Sequence, residues 1–213
     1  MNLTKAQILQ WLQAVDEVIT ENKDYLTELD AAIGDGDHGI NLHRGFQKVM
    51  TQLPQVETED IGSIFKTVGM ALVSSVGGAS GPLYGTFFLR ASTVVTGKEE
   101  LTVADLAKLL QEGVNGVIQR GKANLSDKTM LDALCPAVAT LNQEVAGGNN
   151  SIVDVLGLAV LAAETGMHQT IPLEARKGRA SYLGERSIGH QDPGATSSYL
   201  ILKTLLETIN PRT

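Results

Sequence analysis

Helical spacing of apolar residues runs through nearly the whole chain, and no other feature constrains the fold as strongly. In the first segment the recurring apolar residues are Ile8, Trp11, Leu12, Val15, Val18 and Ile19. Residues three or four positions apart share one face of an α-helix. No segment shows the strict alternation, enriched in β-branched residues, that is typical of a strand. Aromatic residues make up only 4% of the 213 residues, which favours packed helices over an aromatic-rich β-sandwich. The sequence therefore predicts an all-α fold.

Capping and breaking residues divide this pattern into eight predicted helices. Their approximate spans are residues 4–29, 40–53, 61–76, 82–96, 102–121, 126–147, 150–168 and 195–209. The start signals are Thr4, Asp60, Pro82, Thr102, Ser126 or Asp127, and Ser151. Irregular structure is expected at residues 30–39, 77–82, 121–128 and 176–194. We expect residues 1–213 to form one domain, a common size for a single core.

Composition excludes several classes of function. The formal net charge is −7, and no basic stripe of the kind that binds nucleic acid is present. The longest apolar run, residues 152–163, contains Asp154 and is too short to span a bilayer. The N-terminus lacks the pattern of a signal peptide, and the single Cys135 excludes an intrachain disulfide. We expect a cytoplasmic protein that binds neither nucleic acid nor membrane.

Residues 30–39, Asp-Ala-Ala-Ile-Gly-Asp-Gly-Asp-His-Gly, place Asp30, Asp35 and Asp37 within eight positions. Two carboxylates about 4 Å apart repel each other by roughly 4 kcal/mol at an effective dielectric of about 20, so a fold that gathers them needs a cation. Oxygen ligands without cysteine select a hard ion such as Mg²⁺, which shares its remaining shell with water and phosphates. Helix capping and Asx turns are the alternative, but three aspartates exceed what those local roles require. The role of His38 stays open between phosphate binding, stacking and structure.

Three familiar nucleotide or metal motifs do not explain this segment. Residues 34–39 match G-x-G-x-x-G, but the preceding residues predict a helix where a dinucleotide site needs a strand. An EF-hand beginning at Asp35 would need Gly in place of Ile40 and Glu in place of Phe46. A Walker A sequence is absent from the chain, so any nucleotide is held in another way.

Two further segments suit a phosphate ligand. Residues 77–82, Gly-Gly-Ala-Ser-Gly-Pro, precede a predicted helix and offer close backbone approach and the Ser80 hydroxyl; a tight turn between helices is the alternative. The loop at residues 176–194 carries a cationic cluster of Arg176, Lys177, Arg179, Arg186 and His190, although the role of His190 itself stays open. A loop of this length is usually functional or disordered. Carboxylates in one loop and cations in another predict the two sides of a metal–nucleotide site.

Four segments together resemble the nucleotide-binding L subunit of dihydroxyacetone kinases. They are residues 34–39, residues 74–88 (Ser-Ser-Val-Gly-Gly-Ala-Ser-Gly-Pro-Leu-Tyr-Gly-Thr-Phe-Phe), residues 126–132 (Ser-Asp-Lys-Thr-Met-Leu-Asp) and residues 176–195. The resemblance runs from about residue 6 to the last helix, with Ser126 a minor difference where Gly is equally expected. It implies a closed barrel of eight antiparallel helices with the nucleotide site at one end. It also implies two Mg²⁺ ions that join Asp30, Asp35 and Asp37 to the phosphates of ADP or ATP.

The resemblance further implies a set of nucleotide contacts. The expected residues are His38, Gly39, Ile40, Asn41, Gly78, Ala79, Ser80, Gly121, Met130, Arg179, Asp192, Pro193 and Gly194. Of these, Gly121 and Met130 would border the base or ribose. Arg179 is expected to act in catalysis by steadying the transferred charge.

Partners follow from the same resemblance. In this family a separate K subunit holds dihydroxyacetone covalently through a histidine, and the chain resembles the L part alone. That resembles the form driven by phosphoenolpyruvate, in which a phosphohistidine protein, the M subunit, rephosphorylates bound ADP in place. Two alternatives stay open: an L-type domain serving another acceptor, such as a fatty acid on a partner, or an ADP-loaded module that regulates a transcription factor. A homodimer is also expected.

Overall fold

The computed structural model describes residues 2–211 and is almost entirely helical. Within those residues the α-helices are α1 (Lys5–Glu21), α2 (Lys23–Ile33), α3 (His38–Gln52), α4 (Ile61–Ser75), α5 (Ser80–Thr93), α6 (Val103–Gly121), α7 (Leu131–Ala146), α8 (Ile152–Gln169) and α9 (Pro193–Ile209). Short 3₁₀ segments cover Leu53–Gln55 and Arg179–Ser187. The predicted all-α class is confirmed. Of the predicted 1–213 domain, Met1, Arg212 and Thr213 lie outside the described residues.

The helices contact one another in a circuit. The order runs α1, α3, α4, α5, α6, α7, α8 and α9, and α9 contacts α1 again. This circuit of eight helices is the one that the expected closed barrel requires. Helix α2 packs beside it against α3 and α9.

The first predicted helix is wrong in one respect, because it is two helices that meet at Asn22. Both the backbone N–H of Asn22 and its side-chain amide donate to the carbonyl of Val18, the side chain at 2.8 Å. An asparagine side chain that bonds locally competes with the helical ladder. The break redirects the chain, so that α2 ends at the acidic segment.

The predicted start of the sixth helix is also wrong, since α7 begins at Leu131 and not near Ser126. Ser126 and Lys128 have φ values of 72° and 61°, in the left-handed region that a right-handed helix excludes. Asp127 and Asp132 accept backbone N–H groups from this segment instead of capping a helix. The segment is therefore an ordered loop.

Other predicted boundaries agree to within a few residues, and the predicted caps form. Thr4 with Gln7 and Thr102 with Asp105 make capping boxes, and Asp60 caps α4. The short antiparallel pair β1 (Leu3–Thr4) and β2 (Glu100–Leu101) was not predicted. Its two-residue strands are too short to give an alternating pattern.

The core consists mainly of Leu, Val, Ile and Ala side chains. Four aromatic rings, from Trp11, Phe65, Phe87 and Phe88, cluster in it with centroids 5.5–6.2 Å apart. Trp11 is the core anchor that its position in the apolar stripe predicts, and its indole N–H donates to the carbonyl of Ile201 at 3.0 Å. No helix among residues 2–211 has the length and apolar character needed to cross a membrane.

Candidate functional site

One cavity of about 660 Å³ is lined by four alternate connections of the chain: α2–α3, α4–α5, α6–α7 and α8–α9. In a circuit of helices that run up and down, alternate connections lie at the same end. The cavity therefore lies where the resemblance places a nucleotide. Its lining residues are Asp30, Ile33, Asp35, Asp37, His38, Gly78, Ala79, Ser80, Leu83, Tyr84, Lys128, Thr129, Met130, residues 176–182, Asp192, Pro193 and Gly194.

The acidic loop, residues 30–37, is folded by its own side chains. Asp30, in the last turn of α2, accepts the N–H groups of Asp37 and His38 through Oδ2, at 2.8 and 3.2 Å. Gly36 has φ +71°, a conformation that an L side chain rarely adopts. This turn returns the chain on itself, so that Asp37 lies directly before α3.

The same turn gathers the three predicted metal ligands. One carboxylate oxygen from each of Asp30, Asp35 and Asp37 lies within 4.8 Å of the other two. The donor set is oxygen only, so the residues fit a hard divalent cation. Asp35 is exposed and the other two are half-buried, which leaves the cluster open toward the cavity. The structure confirms that these residues converge; metal binding by them stays a prediction.

A buried chain of polar side chains lies behind the metal candidates. His38 donates or accepts at both ring nitrogens, with Ser80 Oγ 3.0 Å from Nδ1 and Ser197 Oγ 2.9 Å from Nε2. Tyr84 continues the chain, with its hydroxyl 2.7 Å from Ser197 Oγ. Burial lowers the pKa of His38 to about 4 and raises the pKa of Tyr84 to about 12. His38 is therefore held as a neutral ring between Ser80 and Ser197, which favours a structural role. Its predicted contact with a nucleotide stays a prediction.

The glycine turn before α5 faces the same cavity. Helix α5 begins at Ser80, two residues before the predicted start, and Gly78 has φ +64°. The first N–H groups of a helix have no intrahelical partners and attract anions. Gly78, Ala79 and Ser80 thus present a helix N-terminus and a hydroxyl to the cavity, as the phosphate interpretation requires.

The basic loop, residues 176–190, lines another part of the same cavity. Arg176, Lys177 and Arg179 line the cavity, whereas Arg186 and His190 do not. Arg179 Nε lies 2.9 Å from Asp35 Oδ2, across the mouth of the cavity. The basic and acidic segments therefore line one cavity; that they form the two sides of a metal–nucleotide site stays a prediction.

Four predicted nucleotide contacts lie outside the cavity lining: Gly39, Ile40, Asn41 and Gly121. Gly39 permits close packing, because a Cβ there would overlap the carbonyl of Lys23 in α2. Ile40 is exposed, and Asn41 is buried and accepts from Arg44 at 2.7 Å. Gly121 ends α6, where an added Cβ would lie 3.2 Å from Leu83. For these four, contact with a nucleotide stays a prediction, while the other predicted site residues line the cavity.

Several lining residues were not singled out as site residues from the sequence. Lys128, Thr129, Leu83, Tyr84 and Tyr182 are of this kind. Leu83 and Tyr84 lie in a helical pattern that predicts ordinary core packing. The position of Lys128 between two aspartates in a loop was the available signal for that residue.

Asp192 is a buried carboxyl group at the start of α9. Burial raises its pKa to about 7, although its Oδ2 accepts the N–H of Ala195 at 2.7 Å. Asp192, Pro193 and Gly194 all line the cavity, and their contact with a nucleotide stays a prediction.

Comparison with known proteins supports one family. The DAK2 domain family matches residues 32–207. The chain is 49% identical to the PEP-dependent dihydroxyacetone kinase ADP-binding subunit DhaL of Escherichia coli (strain K12), over 96% of this chain and 97% of that protein. It is 43% identical to the PTS-dependent counterpart of Lactococcus lactis, over 97% of this chain and 99% of that protein.

Longer relatives match over a part of their length. The chain is 30% identical to the triokinase/FMN cyclase of Rattus norvegicus, over 94% of this chain but 34% of that protein. Among solved structures, the dihydroxyacetone kinase of C. freundii in complex with AMP-PNP and Mg²⁺ superposes with a TM-score of 0.70 at 25% identity. That match covers 97% of this chain and 34% of the solved chain. The family match spans most of the chain, and two of the relatives match over nearly their whole length, so the chain belongs to the DAK2 domain family.

Proposed function

We propose that this chain is the ADP-binding subunit of a phosphoenolpyruvate-dependent dihydroxyacetone kinase, a phosphotransferase. The observation that carries the proposal is the convergence of Asp30, Asp35 and Asp37 at a cavity that the basic loop also lines. A nucleoside diphosphate with divalent ions has the charges that this cavity would complement. The names of full-length relatives agree with this proposal.

In this proposal Asp30, Asp35 and Asp37 hold two Mg²⁺ ions. The ions would neutralise the phosphates and align the transferred group, which is most of what phosphoryl transfer requires of a protein. Ser80, oriented by neutral His38, donates to a phosphate oxygen. Arg179, exposed at the mouth of the cavity, steadies charge on the transferred group.

The nucleotide acts as a resident carrier. A phosphohistidine protein, the M subunit, phosphorylates the bound ADP, and the product passes its γ-phosphoryl group to dihydroxyacetone on the K subunit. Both partners must reach the same phosphates, and the exposure of Asp35 and Arg179 at the rim is suited to this. We further propose that residues 1–213 act as one L-type unit in the cytoplasm, as a homodimer.

The test begins with the protein as purified without added nucleotide. Acid release followed by chromatography should give about one ADP per chain, together with magnesium by elemental analysis. The protein is then mixed with phosphorylated M subunit, K subunit and dihydroxyacetone, in the presence of glucose and hexokinase as a trap for free ATP. A carrier that keeps its nucleotide should form dihydroxyacetone phosphate with little loss to the trap.

Two results would contradict the proposal. One is full activity in chains free of nucleotide and metal. The other is transfer that the trap intercepts completely, which would make free ATP the carrier. Transfer only with another acceptor subunit, or binding only to a transcription factor, would replace dihydroxyacetone kinase by one of the two alternatives.

A further inference from the structure

Lys128 is a buried lysine that the proposed reaction does not use. It lies in the loop between α6 and α7, has φ 61°, and exposes 1% of its surface. A lysine is rarely buried unless its ammonium has partners, and a non-glycine residue in the left-handed region is uncommon. Both features indicate that this side chain is held where it is for a reason beyond filling space.

The ammonium lies in a cage of backbone carbonyls. Its Nζ lies within 3.5 Å of five carbonyl oxygens, those of Thr170 (2.8 Å), Ile171 (3.5 Å), Leu173 (3.0 Å), Ser187 (2.8 Å) and His190 (2.6 Å). An ammonium has three N–H groups, so it can donate hydrogen bonds to three of the five carbonyls. The dipoles of the other two are attracted by its positive charge. The arrangement resembles the oxygen shell of a bound metal cation.

These carbonyls come from both ends of the segment that contains the basic loop. Three of them, at residues 170–173, precede Arg176, and the other two, at Ser187 and His190, follow Arg186. One ammonium therefore joins the two ends of the loop at a single point. A second link lies beside it, where Arg176 N–H donates to the carbonyl of Asp127 at 3.0 Å.

We propose that Lys128 is a positioning residue, whose ammonium clamps both ends of the basic loop and so holds Arg179 against the acidic loop. Lys128 itself lines the cavity, next to Thr129 and Met130. The clamp thus connects the wall predicted to border the base or ribose with the arginine predicted to act on the phosphates. The part of this inference that concerns phosphoryl transfer rests on the proposed function; the part that concerns the loop does not.

Lys122 provides a matched control. It lies in the same connection between α6 and α7, has a comparable φ of 49°, and is exposed. Lys128→Met and Lys122→Met remove the same charge from the same connection, but only the first empties the carbonyl cage.

The first measurement is amide hydrogen exchange of the full-length chain. The reporters are the N–H groups of Ala175, Arg176, Ile188 and Gly189, which are hydrogen-bonded in or beside the basic loop. In Lys128→Met their exchange should accelerate roughly 10- to 100-fold, the range for losing a charge-assisted hydrogen bond. Amides of α4 and α5 should exchange as in wild type, and Lys122→Met should leave all reporters unchanged.

Chemical rescue isolates the ammonium from the shape of the side chain. In a Cys135→Ala background, Lys128→Cys is alkylated with 2-bromoethylamine while unfolded, which attaches an aminoethyl group to sulfur with loss of bromide. After refolding, this lysine analogue should restore protection of the four reporters. Alkylation with iodoacetamide, which adds a neutral group, should not.

The second measurement asks whether Lys128 acts through Arg179. The phosphoryl-transfer rate is compared among wild type, Lys128→Met, Arg179→Gln and the double variant. If the clamp positions Arg179, each single change lowers the rate about 10-fold or more, and the second change costs less than about 2-fold on top of the first.

Several outcomes would overturn the inference. Equal loss of protection in every helix of Lys128→Met would make the ammonium a determinant of the whole fold. Restored protection with the neutral iodoacetamide adduct would show that the positive charge at position 128 is not needed to hold the loop. Fully additive losses in phosphoryl-transfer rate would show that Lys128 does not act through Arg179. A wild-type chain without transfer activity would contradict the proposed function, and the exchange and rescue experiments would still decide whether the clamp exists.

Discussion

The acidic loop and the basic loop line one cavity, but different kinds of contact hold them. Asp30 fixes the acidic loop by accepting N–H groups seven and eight residues further along the chain. Lys128 fixes the basic loop through carbonyls 42 to 62 residues away. One side of the site is therefore built locally, and the other exists only once the helices have packed.

The two loops also differ in how their charged groups meet solvent. The three carboxylates of the acidic loop converge and repel each other, so this loop gains from a bound cation. The basic loop already has a cation bound at its two ends, the buried ammonium of Lys128, and its arginines are exposed. Removing metal should therefore disturb the acidic loop more than the basic loop.

The largest expected effect follows from Asp37→Asn in the acidic loop. The change keeps the size of the side chain and removes one of three converging charges. Removing a group that only supports a metal ligand lowers metal affinity about 10- to 100-fold. We therefore expect the loss of a direct ligand to lower the affinity for Mg²⁺ more than about 1,000-fold. Isothermal titration should show ADP affinity falling with it, while hydrogen exchange in the basic loop stays unchanged.

Asp24→Asn is the control for that change. Asp24 lies in the first turn of α2, outside the acidic loop, and its side chain is 96% exposed, with a carboxylate oxygen 3.6 Å from Lys23 Nζ. Its replacement should alter neither Mg²⁺ nor ADP affinity. If Asp37→Asn bound ADP with wild-type affinity, the ligand assignment would be wrong.

This division explains what could be predicted from the sequence. The acidic loop needs only the order Asp30, Gly36, Asp37 and the helix that follows, all of which lie within a short stretch. Its convergence was therefore predicted correctly, as were the all-α class and the capping boxes. Arg179 was placed in the site by the family resemblance, because the cluster of cations indicated the loop but did not single out one residue.

The positions that escaped prediction depend on distant partners. Nothing near Lys128 in sequence indicates the carbonyls of residues 170–190 that surround it. The start of α7 was misplaced because Asp127 and Asp132 bond to the amides of their own loop, a use of aspartate that looks like capping in a sequence. The break at Asn22 was missed because the apolar spacing continues through it to Leu26.

The next effect concerns Asp192, on the basic side of the cavity. Burial raises its pKa from 3.8 to about 7. Between about pH 4 and pH 7 the folded chain therefore keeps a proton that the unfolded chain has lost. The free energy of unfolding should therefore fall as pH rises through that window, by at most about 4 kcal/mol. Urea denaturation of metal-free protein should show this slope in wild type and its loss in Asp192→Asn, which can still accept from Ala195.

Asp60→Asn supplies a control of opposite sign. Asp60 also caps a helix, but hydrogen bonds led by that from Ser63 lower its pKa. Its contribution to stability is present above the pKa of the unfolded chain and is lost as pH falls through the folded value. A wild-type slope that Asp192→Asn left unchanged would show that Asp192 is already ionised in the fold.

His38, on the acidic side of the cavity, is expected to make a smaller contribution to the pH dependence of the free energy of unfolding, with the opposite sign. Burial lowers its pKa from 6.5 to about 4. Between these two pH values the unfolded chain binds a proton at this histidine, and the folded chain does not. The free energy of unfolding should fall as pH drops from about 6.5 to about 4, by at most about 3 kcal/mol. His38→Gln should remove this contribution, and His168→Gln, an exposed histidine at the end of α8, should not. The difference between variant and wild type at pH 7 and pH 5 isolates His38 from Asp192.

The smallest expected effect is on the ion pair that joins the two loops. Arg179 and Asp35 have side chains that are 69% and 36% exposed, and exposed pairs contribute about 0–1 kcal/mol to folding. A double-mutant cycle with Arg179→Gln and Asp35→Asn, measured by urea denaturation of metal-free protein, should give a coupling energy below about 1 kcal/mol. The basic loop should also keep its hydrogen-exchange protection in Arg179→Gln, because Lys128 and not the ion pair holds it. A coupling energy above about 2 kcal/mol would show that the Arg179–Asp35 ion pair helps to fix the basic loop. The acidic and basic loops would then form one structural unit instead of two.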